Sequence, residues 1–190
     1  METLLAFDAD VLLFVQEHIR CGFLDPIMKG ASWLGNHGIL WVLVGLILLA
    51  LPRTRREGLD TALGILFPWL ITEYLMKNLI ARPRPYTVMT ELVTLVEQLD
   101  SFSFPSGHSC SSFAAATALF LCFRGRGGGY VYILAALIAL SRVYVGVHYP
   151  TDVLVGAALG TLGAYAAVSF SRKYIRRPVS RLRETVQSAK

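Results

Sequence analysis

The sequence has little charge. Charged residues make up 16% of the 190-residue chain, whereas hydrophobic residues make up 54% and the mean hydropathy is +0.52. A soluble domain carries about 25% charged residues. The composition therefore excludes an ordinary soluble domain and predicts an all-α, polytopic membrane helix bundle, and the length fits one domain.

Cysteine is also scarce, and a basic leader is lacking. The three cysteines are scattered, and Cys110 and Cys122 fall in an apolar stretch, which argues against a disulfide framework and against a metal cluster. The N-terminus carries Glu2, Asp8 and Asp10 instead of the basic segment that opens a cleavable signal peptide. We therefore expect the first membrane helix to serve as the insertion signal.

Five apolar stretches predict transmembrane helices, because each is near the ~20 residues that a bilayer requires. They cover approximately residues 37–52, 59–80, 108–123, 129–147 and 151–171. The prediction is thus five transmembrane helices, or six if residues 4–19 also span the membrane.

The N-terminal third has a weaker apolar pattern. Apolar side chains repeat on one side of residues 3–20 and Asp8 lies on the other, which predicts an amphipathic helix in the membrane interface. A second short interfacial helix is predicted around Leu24 to Leu34. The single domain then consists of interfacial helices over residues 1–36, a helix core over 59–171 and a basic tail over 172–190.

Basic residues are unevenly distributed between the two faces that these spans define. Twelve of the 18 lysine and arginine residues fall on the face that receives Arg53, Arg124 and the tail. Because basic loops stay on the cytoplasmic side, we expect that face to be cytoplasmic and the other to face outward from the plasma (inner) membrane. Orientation and anionic lipid headgroups then explain the net charge of +5, and nucleic-acid binding is not expected.

Polar residues that are costly in a membrane gather at the outward face. The stretch Ser141–Asp152 contains an arginine, a histidine and an aspartate between two apolar spans. Asp152, four residues after His148, can hold the Nδ1 proton of that ring and leave Nε2 free as a base, nucleophile or ligand. The region Lys77–Pro85 and the helix start at His108 belong to the same face.

These segments together provide the elements of an anion site. The candidate ligands are the cations Lys77, Arg84 and Arg142 and the helix-start residues Ser106, Gly107 and His108. His108 lacks the carboxylate partner that His148 has, an asymmetry that suits a general acid beside a nucleophile.

Three motifs in this order match a known pattern. Lys-x6-Arg-Pro occupies Lys77–Pro85, Pro-Ser-Gly-His occupies Pro105–His108, and Ser-Arg-x5-His-x3-Asp occupies Ser141–Asp152. On these residues the chain resembles the type 2 phosphatidic acid phosphatase (PAP2) family, in particular its small bacterial integral-membrane lipid phosphatases. The resemblance covers residues 59–171, and every signature position matches.

The resemblance implies a role for each matching residue. His148 would attack phosphorus and form a phosphohistidine, with Asp152 orienting its ring, while His108 would protonate the leaving oxygen and later help water cleave the intermediate. The phosphate oxygens would be bound by Lys77, Arg84, Ser106, Gly107 and Arg142. No metal and no cofactor is implied, in agreement with a sequence that lacks a carboxylate cluster suited to Mg²⁺.

Three further residues near the motifs are assigned lesser roles. Glu73 lies four residues before Lys77 on one helix face, which predicts either an ion pair that fixes Lys77 or a plain polar contact in helix packing. Ser141 is a possible supporting residue. Arg82 lies outside the signature and is expected to extend to the membrane interface as a snorkelling side chain.

The expected partners are membrane lipids and a lipid phosphate or pyrophosphate substrate. We expect undecaprenyl pyrophosphate, because the small bacterial proteins that the chain resembles often act on it. Phosphatidate and phosphatidylglycerophosphate are alternative substrates, and phosphate transfer to another lipid is an alternative reaction. The same signature occurs in vanadium-dependent haloperoxidases, which are typically soluble, and a non-enzymatic channel or scaffold is a further alternative. The sequence leaves the oligomeric state open.

Overall fold

The computed structural model describes residues 2–123 and 128–176 as a helix bundle, and no β-strand occurs within these ranges. The all-α prediction is therefore confirmed. The helices are α1 (Glu2–Phe14), α2 (Leu24–Leu34), α3 (Ile39–Ala50), α4 (Arg55–Leu70), α5 (Lys77–Ile80), α6 (Pro85–Val88), α7 (Gly107–Cys122), α8 (Gly128–Tyr144) and α9 (Pro150–Phe170). Wider π-helical turns extend α1 over Val15–Ile19, join α4 to α5 over Ile71–Met76 and extend α9 over Ser171–Arg176.

Fewer helices have the length and apolarity of a membrane span than the sequence predicts. In the described parts of the chain two helical stretches qualify, Arg55–Val88 and Pro150–Ile175. Helices α2 and α3 add a third if this pair, bent by 50°, is one span. The prediction of five to six spans is not met because α7, with 16 residues, and α8, with 17, are short. At 1.5 Å per residue they reach only about 25 Å of the ~30 Å hydrocarbon core.

Helix α7 lies at the centre of the bundle and packs against α4, α8 and α9. Its Ala114 and Ala118 are fully buried. Helix α9 approaches it so closely that an added Cβ at Gly160 would lie 2.2 Å from the carbonyl oxygen of Cys110. Small residues allow such close packing between apolar helices. This contact brings the N-terminal ends of α7 and α9, where two of the three motifs lie, close together.

The prediction for helix α1 fails at Asp8. Asp8 is fully buried and Leu12 is 1% exposed, whereas Leu5, Phe7 and Phe14 are about half exposed. The assignment of Asp8 to the water-facing side is therefore wrong. The physical reason is an ion pair with Arg82, since a buried carboxylate is stable only when it is paired and hydrogen-bonded.

The linker between α5 and α7 contains the short helix α6 and packs on the end of the bundle where α7 begins. Leu92 is buried, and the backbone N–H of Leu95 donates to the carbonyl of Val145 at 3.1 Å. Most of the predicted basic tail, together with Arg124 and Arg126, lies outside the described residues.

Replacing Gly160 with alanine is expected to lower the thermal stability of the detergent-solubilised protein. The new methyl group would press on the Cys110 carbonyl, and overpacking of this kind costs about 1–3 kcal/mol. Each kcal/mol lowers the unfolding midpoint by about 2–4 °C, which tryptophan fluorescence can measure. Gly30→Ala is the control, because a Cβ there meets no described atom within 4 Å. Equal midpoints for the two variants would contradict the close packing of α7 and α9.

Candidate active site

One cavity of about 710 Å³, hereafter the main cavity, lies at the end of the bundle where α5 ends and α7 begins. The structure brings seven of the residues predicted from sequence to its wall: Glu73, Lys77, Arg84, Gly107, His108, Arg142 and His148. The N-terminal third of the chain, which lies outside the three motifs, contributes Lys29, Ser32, Trp33 and Asn36. The predicted meeting of the three motifs is therefore confirmed, and the N-terminal helices complete the wall.

The imidazole of His148 lies between a carboxylate and a guanidinium. Its Nδ1 is 3.5 Å from Oδ2 of Asp152, and its Nε2 is 3.3 Å from Nη1 of Arg84. Because a guanidinium nitrogen only donates, this geometry assigns the ring proton to Nδ1 and leaves Nε2 unprotonated. That is the tautomer that a nucleophilic Nε2 requires.

A sharp turn between α8 and α9 presents His148 to the main cavity. Gly146 adopts a left-handed conformation, with φ at 81°, which glycine tolerates best. A Cβ at this position would also lie 2.8 Å from Nη2 of Arg20, whose Nε donates to the carbonyl of Tyr144 at 2.9 Å. Pro150 then starts α9. The turn is thus held by its own backbone and by a side chain that follows α1.

Asp152 is fully buried and both of its oxygens are hydrogen-bonded. Oδ2 accepts from the hydroxyl of Ser103 and from the backbone N–H of Tyr149, and Oδ1 accepts from Nη1 of Arg82 at 2.7 Å. Nη2 of Arg82 donates to Asp8, also at 2.7 Å. The expectation that Arg82 snorkels to the interface is therefore wrong. Sequence reasoning missed Ser103 and the pairing of Asp8, because all these contacts join distant segments.

Three cations line the main cavity, and each is hydrogen-bonded to another residue of the wall. Nζ of Lys77 lies 2.8 Å from Oε2 of Glu73, so the predicted ion pair is present. Arg84 is 3% exposed and donates through Nε to the carbonyl of Ser101 at 2.6 Å. Arg142 is 2% exposed, and its Nε has no hydrogen-bond partner within the described part of the chain. A buried guanidinium with an N–H to spare is suited to binding an anion.

The hydroxyls of Ser106 and Ser141 are used in local helix hydrogen bonds. Ser106 is the N-cap of α7, where its Oγ accepts from the N–H and the hydroxyl of Ser109. Ser141 donates to the carbonyl of Ile138 at 2.6 Å. The contact of Ser106 with phosphate and the supporting role of Ser141 stay predictions. Gly107 does line the cavity, and a Cβ there would lie 2.1 Å from the Glu73 carboxylate.

His108 is oriented by the loop between α2 and α3. Its Nε2 lies 3.0 Å from Oδ1 of Asn36. Gly35 leaves room for the ring, because a Cβ at Gly35 would lie 2.7 Å from Cδ2 of His108. Asn36 was not a candidate in the sequence, and no local pattern distinguishes it.

These features agree with a comparison of the sequence with known families. The model of the PAP2 superfamily matches residues 57–176. This chain belongs to the PAP2 superfamily. The resemblance that the three motifs indicate is therefore confirmed.

Relatives within the PAP2 superfamily cover most of the chain. Decaprenylphosphoryl-5-phosphoribose phosphatase of Mycobacterium tuberculosis is 41% identical over 138 residues, which are 72% of this chain and 75% of that protein. Undecaprenyl-diphosphatase of Sulfolobus acidocaldarius is 31% identical over 149 residues, 76% and 69% of the two chains. The crystal structure of the transmembrane PAP2-type phosphatidylglycerolphosphate phosphatase from Bacillus subtilis is similar with a TM-score of 0.72 and 32% identity, over 93% and 90% of the two chains. The comparisons support a phosphatase.

In this PAP2 site, burial determines the protonation state of His148, which lies in the turn between α8 and α9. It lowers the pKa of His148 to about 3; the hydrogen bond with Asp152 opposes this shift, whereas Arg84 and Arg142 add to it. The ring is therefore neutral near pH 7. Burial also lowers the pKa of Arg84 from its usual value.

The lowered pKa of His148 predicts a loss of stability in acid. Unfolded histidine has a pKa of about 6.5, so below that pH the unfolded state takes up a proton that folded His148 does not. Above pH ~6.5 the ring is neutral in both states, and the free energy of unfolding does not depend on this group. As the pH falls from there toward about 3, the free energy of unfolding decreases, by about 2 kcal/mol at pH ~5. The unfolding midpoint in detergent should fall from pH 7.5 to 5, and fall less in His148→Asn.

The control for this measurement is His18→Asn, because the side chain of His18 is exposed. It should keep the full pH dependence of the wild-type protein. An identical fall in wild type and His148→Asn would show that His148 is not held neutral by burial.

Proposed function

We propose that this chain is a metal-independent lipid phosphate or pyrophosphate phosphatase that acts through a phosphohistidine at the extracytoplasmic face of the plasma membrane. The observation that carries the proposal is the wall of the main cavity, where His148 and His108 lie with three buried cations: Lys77, Arg84 and Arg142. Cations preorganised in a site of low dielectric constant stabilise the charge that develops on phosphoryl oxygens. Within the described residues no group of three metal-ligating side chains is present.

The reaction requires two steps. In the first, the lone pair of Nε2 of His148 forms a bond to phosphorus while the bond to the leaving oxygen breaks, and His108 gives its proton to that oxygen. In the second, water attacks the phosphohistidine and passes a proton to His108. The N–P bond then breaks, and inorganic phosphate and the starting enzyme are released. Asp152 stabilises the charged ring in between.

A second groove supports a lipid as the substrate. It has a volume of about 250 Å³, lies between α3 and α4, and shares Gly38, Trp69 and Ser111 with the main cavity. Its other lining residues are mostly apolar and include Trp41, Val42, Leu46, Leu49, Ile65 and Leu66. A phosphate in the main cavity and a hydrocarbon chain in this groove would belong to one amphiphilic molecule.

Undecaprenyl pyrophosphate is the substrate that we propose first. The main cavity, at about 710 Å³, is larger than one phosphate group needs, and a relative is named undecaprenyl-diphosphatase. A second candidate is a polyprenyl lipid with a phosphorylated sugar, as in the name of the relative that is 41% identical. Trp33 and Trp69 on the cavity wall can pack on a sugar ring. Phosphatidate, phosphatidylglycerophosphate and phosphate transfer to a second lipid are further alternatives.

The proposed topology has five crossings from α3 onward. Among the described residues, however, only Arg55–Val88, Pro150–Ile175 and the bent pair of α2 and α3 have the length and apolarity of a full span. Helix α8 is short, but Ile133 and Leu140 are more than half exposed, as expected of a lipid-facing surface. Helix α1 is proposed to lie across the cavity end instead of spanning, because Asp8 in its middle and Arg20 just after its π-helical extension both contact residues there. The main cavity then faces outward and the basic tail is cytoplasmic, in line with the distribution of basic residues.

Asn36→Ala is expected to slow catalysis by releasing the ring of His108. We expect kcat to fall about tenfold with KM unchanged, because a mobile general acid is less often aligned. The alkaline limb of the activity profile should move to lower pH, because the protonated ring loses its acceptor. Asn78→Ala is the control, since its exposed amide contacts only Tyr74 of its own helix among the described hydrogen bonds. A KM effect alone would instead place Asn36 in substrate binding.

The proposed function is tested by phosphate release in detergent micelles containing EDTA. Undecaprenyl pyrophosphate, phosphatidate and a polyprenylphosphoryl-5-phosphoribose are compared side by side. We expect release from at least one, a drop of about 1,000-fold or more in His148→Ala, and wild-type rates in the control His18→Ala. An acid-labile phosphoenzyme should form from ³²P-labelled substrate in wild type and not in His148→Ala.

Each of these measurements has an outcome that refutes one part of the proposed function. No release from any lipid refutes the phosphatase, and full activity of His148→Ala refutes the phosphohistidine. Loss of activity in EDTA that Mg²⁺ restores refutes metal independence. The lipid that is hydrolysed fastest decides between the candidate substrates.

A further inference from the structure

Arg82 joins two buried carboxylates. Its Nη1 donates to Oδ1 of Asp152 and its Nη2 donates to Oδ2 of Asp8, each at 2.7 Å. Its guanidinium stacks 3.8 Å from the ring centre of Tyr149. A planar fork that is held at both edges and on one face cannot rotate without losing a contact. Arg82 therefore fixes the position of the Asp152 carboxylate.

The backbone of Arg82 also acts on the second oxygen of Asp152. Its carbonyl accepts from the N–H of Ser103 at 2.9 Å, and the hydroxyl of Ser103 donates to Oδ2 of Asp152. Oδ2 is the oxygen that faces Nδ1 of His148. Both oxygens of the carboxylate that orients His148 thus depend on the placement of Arg82.

Asp8 balances the charge of Arg82. It is fully buried, and it also accepts from the N–H and the hydroxyl of Thr151 in the first turn of α9. Arg82 alone would cancel the charge of Asp152. With Asp8 present, the three groups carry one net negative charge, which can stabilise the imidazolium that forms when His148 is phosphorylated.

We propose that Arg82 and Asp8 are positioning residues that hold Asp152 against His148 while the phosphohistidine forms. Among the described residues neither belongs to the wall of the main cavity, so substrate contact is not expected. The inference rests on the proposed function. It extends the catalytic machinery to α1, which precedes the residues that the family model matches.

The test uses the purified full chain in detergent, with undecaprenyl pyrophosphate and dioctanoyl phosphatidate as probes. We expect kcat to fall about 10- to 100-fold in Arg82→Gln and about 10-fold in Asp8→Asn, with KM unchanged, because a displaced catalytic group slows chemistry without weakening binding. Arg82→Lys should recover part of kcat, since it keeps the charge but not the fork. In the double variant the two losses should be less than multiplicative, because Asp8 acts through Arg82.

The ion pair between Asp60 and Arg172 at the other end of the bundle provides the control; its carboxylate is as buried as that of Asp8, whereas its arginine is partly exposed. Asp60, near the start of α4, is fully buried and lies 3.2 Å from Nε of Arg172, just after α9. Asp60→Asn and Arg172→Gln remove the same kind of pair far from the main cavity. Per folded protein, kcat of both should stay within about twofold of wild type, because any effect on stability does not reach the site.

Three results would overturn the inference: wild-type kcat in Arg82→Gln and Asp8→Asn, a change confined to KM, or an equal loss in the two controls. If Arg82→Gln does not fold, Asp8→Asn decides by the same criteria. His148→Ala separates this inference from the proposed function. An inactive His148→Ala beside fully active Arg82 and Asp8 variants rejects only the positioning role, whereas an active His148→Ala rejects the phosphohistidine itself.

Discussion

The carboxylate of Asp152 has to stay charged where it is fully buried, and much of the architecture follows from that requirement. An unpaired buried charge is far too costly for a fold of marginal stability, so every oxygen needs donors. Those donors come from three places: Arg82 after α5, Ser103 in the linker, and the backbone of Tyr149 before α9. Satisfying one side chain thus brings both ends of the linker between α5 and α7 to the start of α9.

The buried cations of the site need acceptors, whereas Asp152 needs donors. Arg84 and Arg142 are buried on one wall, and each is partly compensated by groups that cannot leave: the carbonyl of Ser101 for the first, and the hydroxyl of Ser32 for the second. Such an arrangement is unfavourable without a bound anion, because like charges repel and the cost of desolvating the two cations is only partly offset. The close packing of α7 on α9 provides a rigid frame that can hold it. An anionic phosphoryl group would relieve the repulsion, which is why this wall suits its transfer.

The N-terminal helices complete the site, although the three motifs and the family model both begin after them. Asp8 reaches Arg82, Arg20 holds the turn that carries His148, and Asn36 orients His108. Both histidines therefore have a support outside the signature.

The sequence by itself determined the helical class, the approximate helix limits, the family and seven of the residues that line the main cavity. It could do so because apolar runs, prolines and glycines act locally, and because the three motifs keep their spacing within single segments. The pairing of Glu73 with Lys77 was predictable for the same reason, since four residues make one helical turn. The tertiary structure alone decided the burial of Asp8 in α1, the contacts of Arg82 and the partner of His108. Asp8 and Arg82 are 74 residues apart, and Asn36 and His108 are 72 apart. No local periodicity encodes such pairs, because they form only when the packing of α7, α8 and α9 has brought distant segments together and removed the water that would otherwise solvate them.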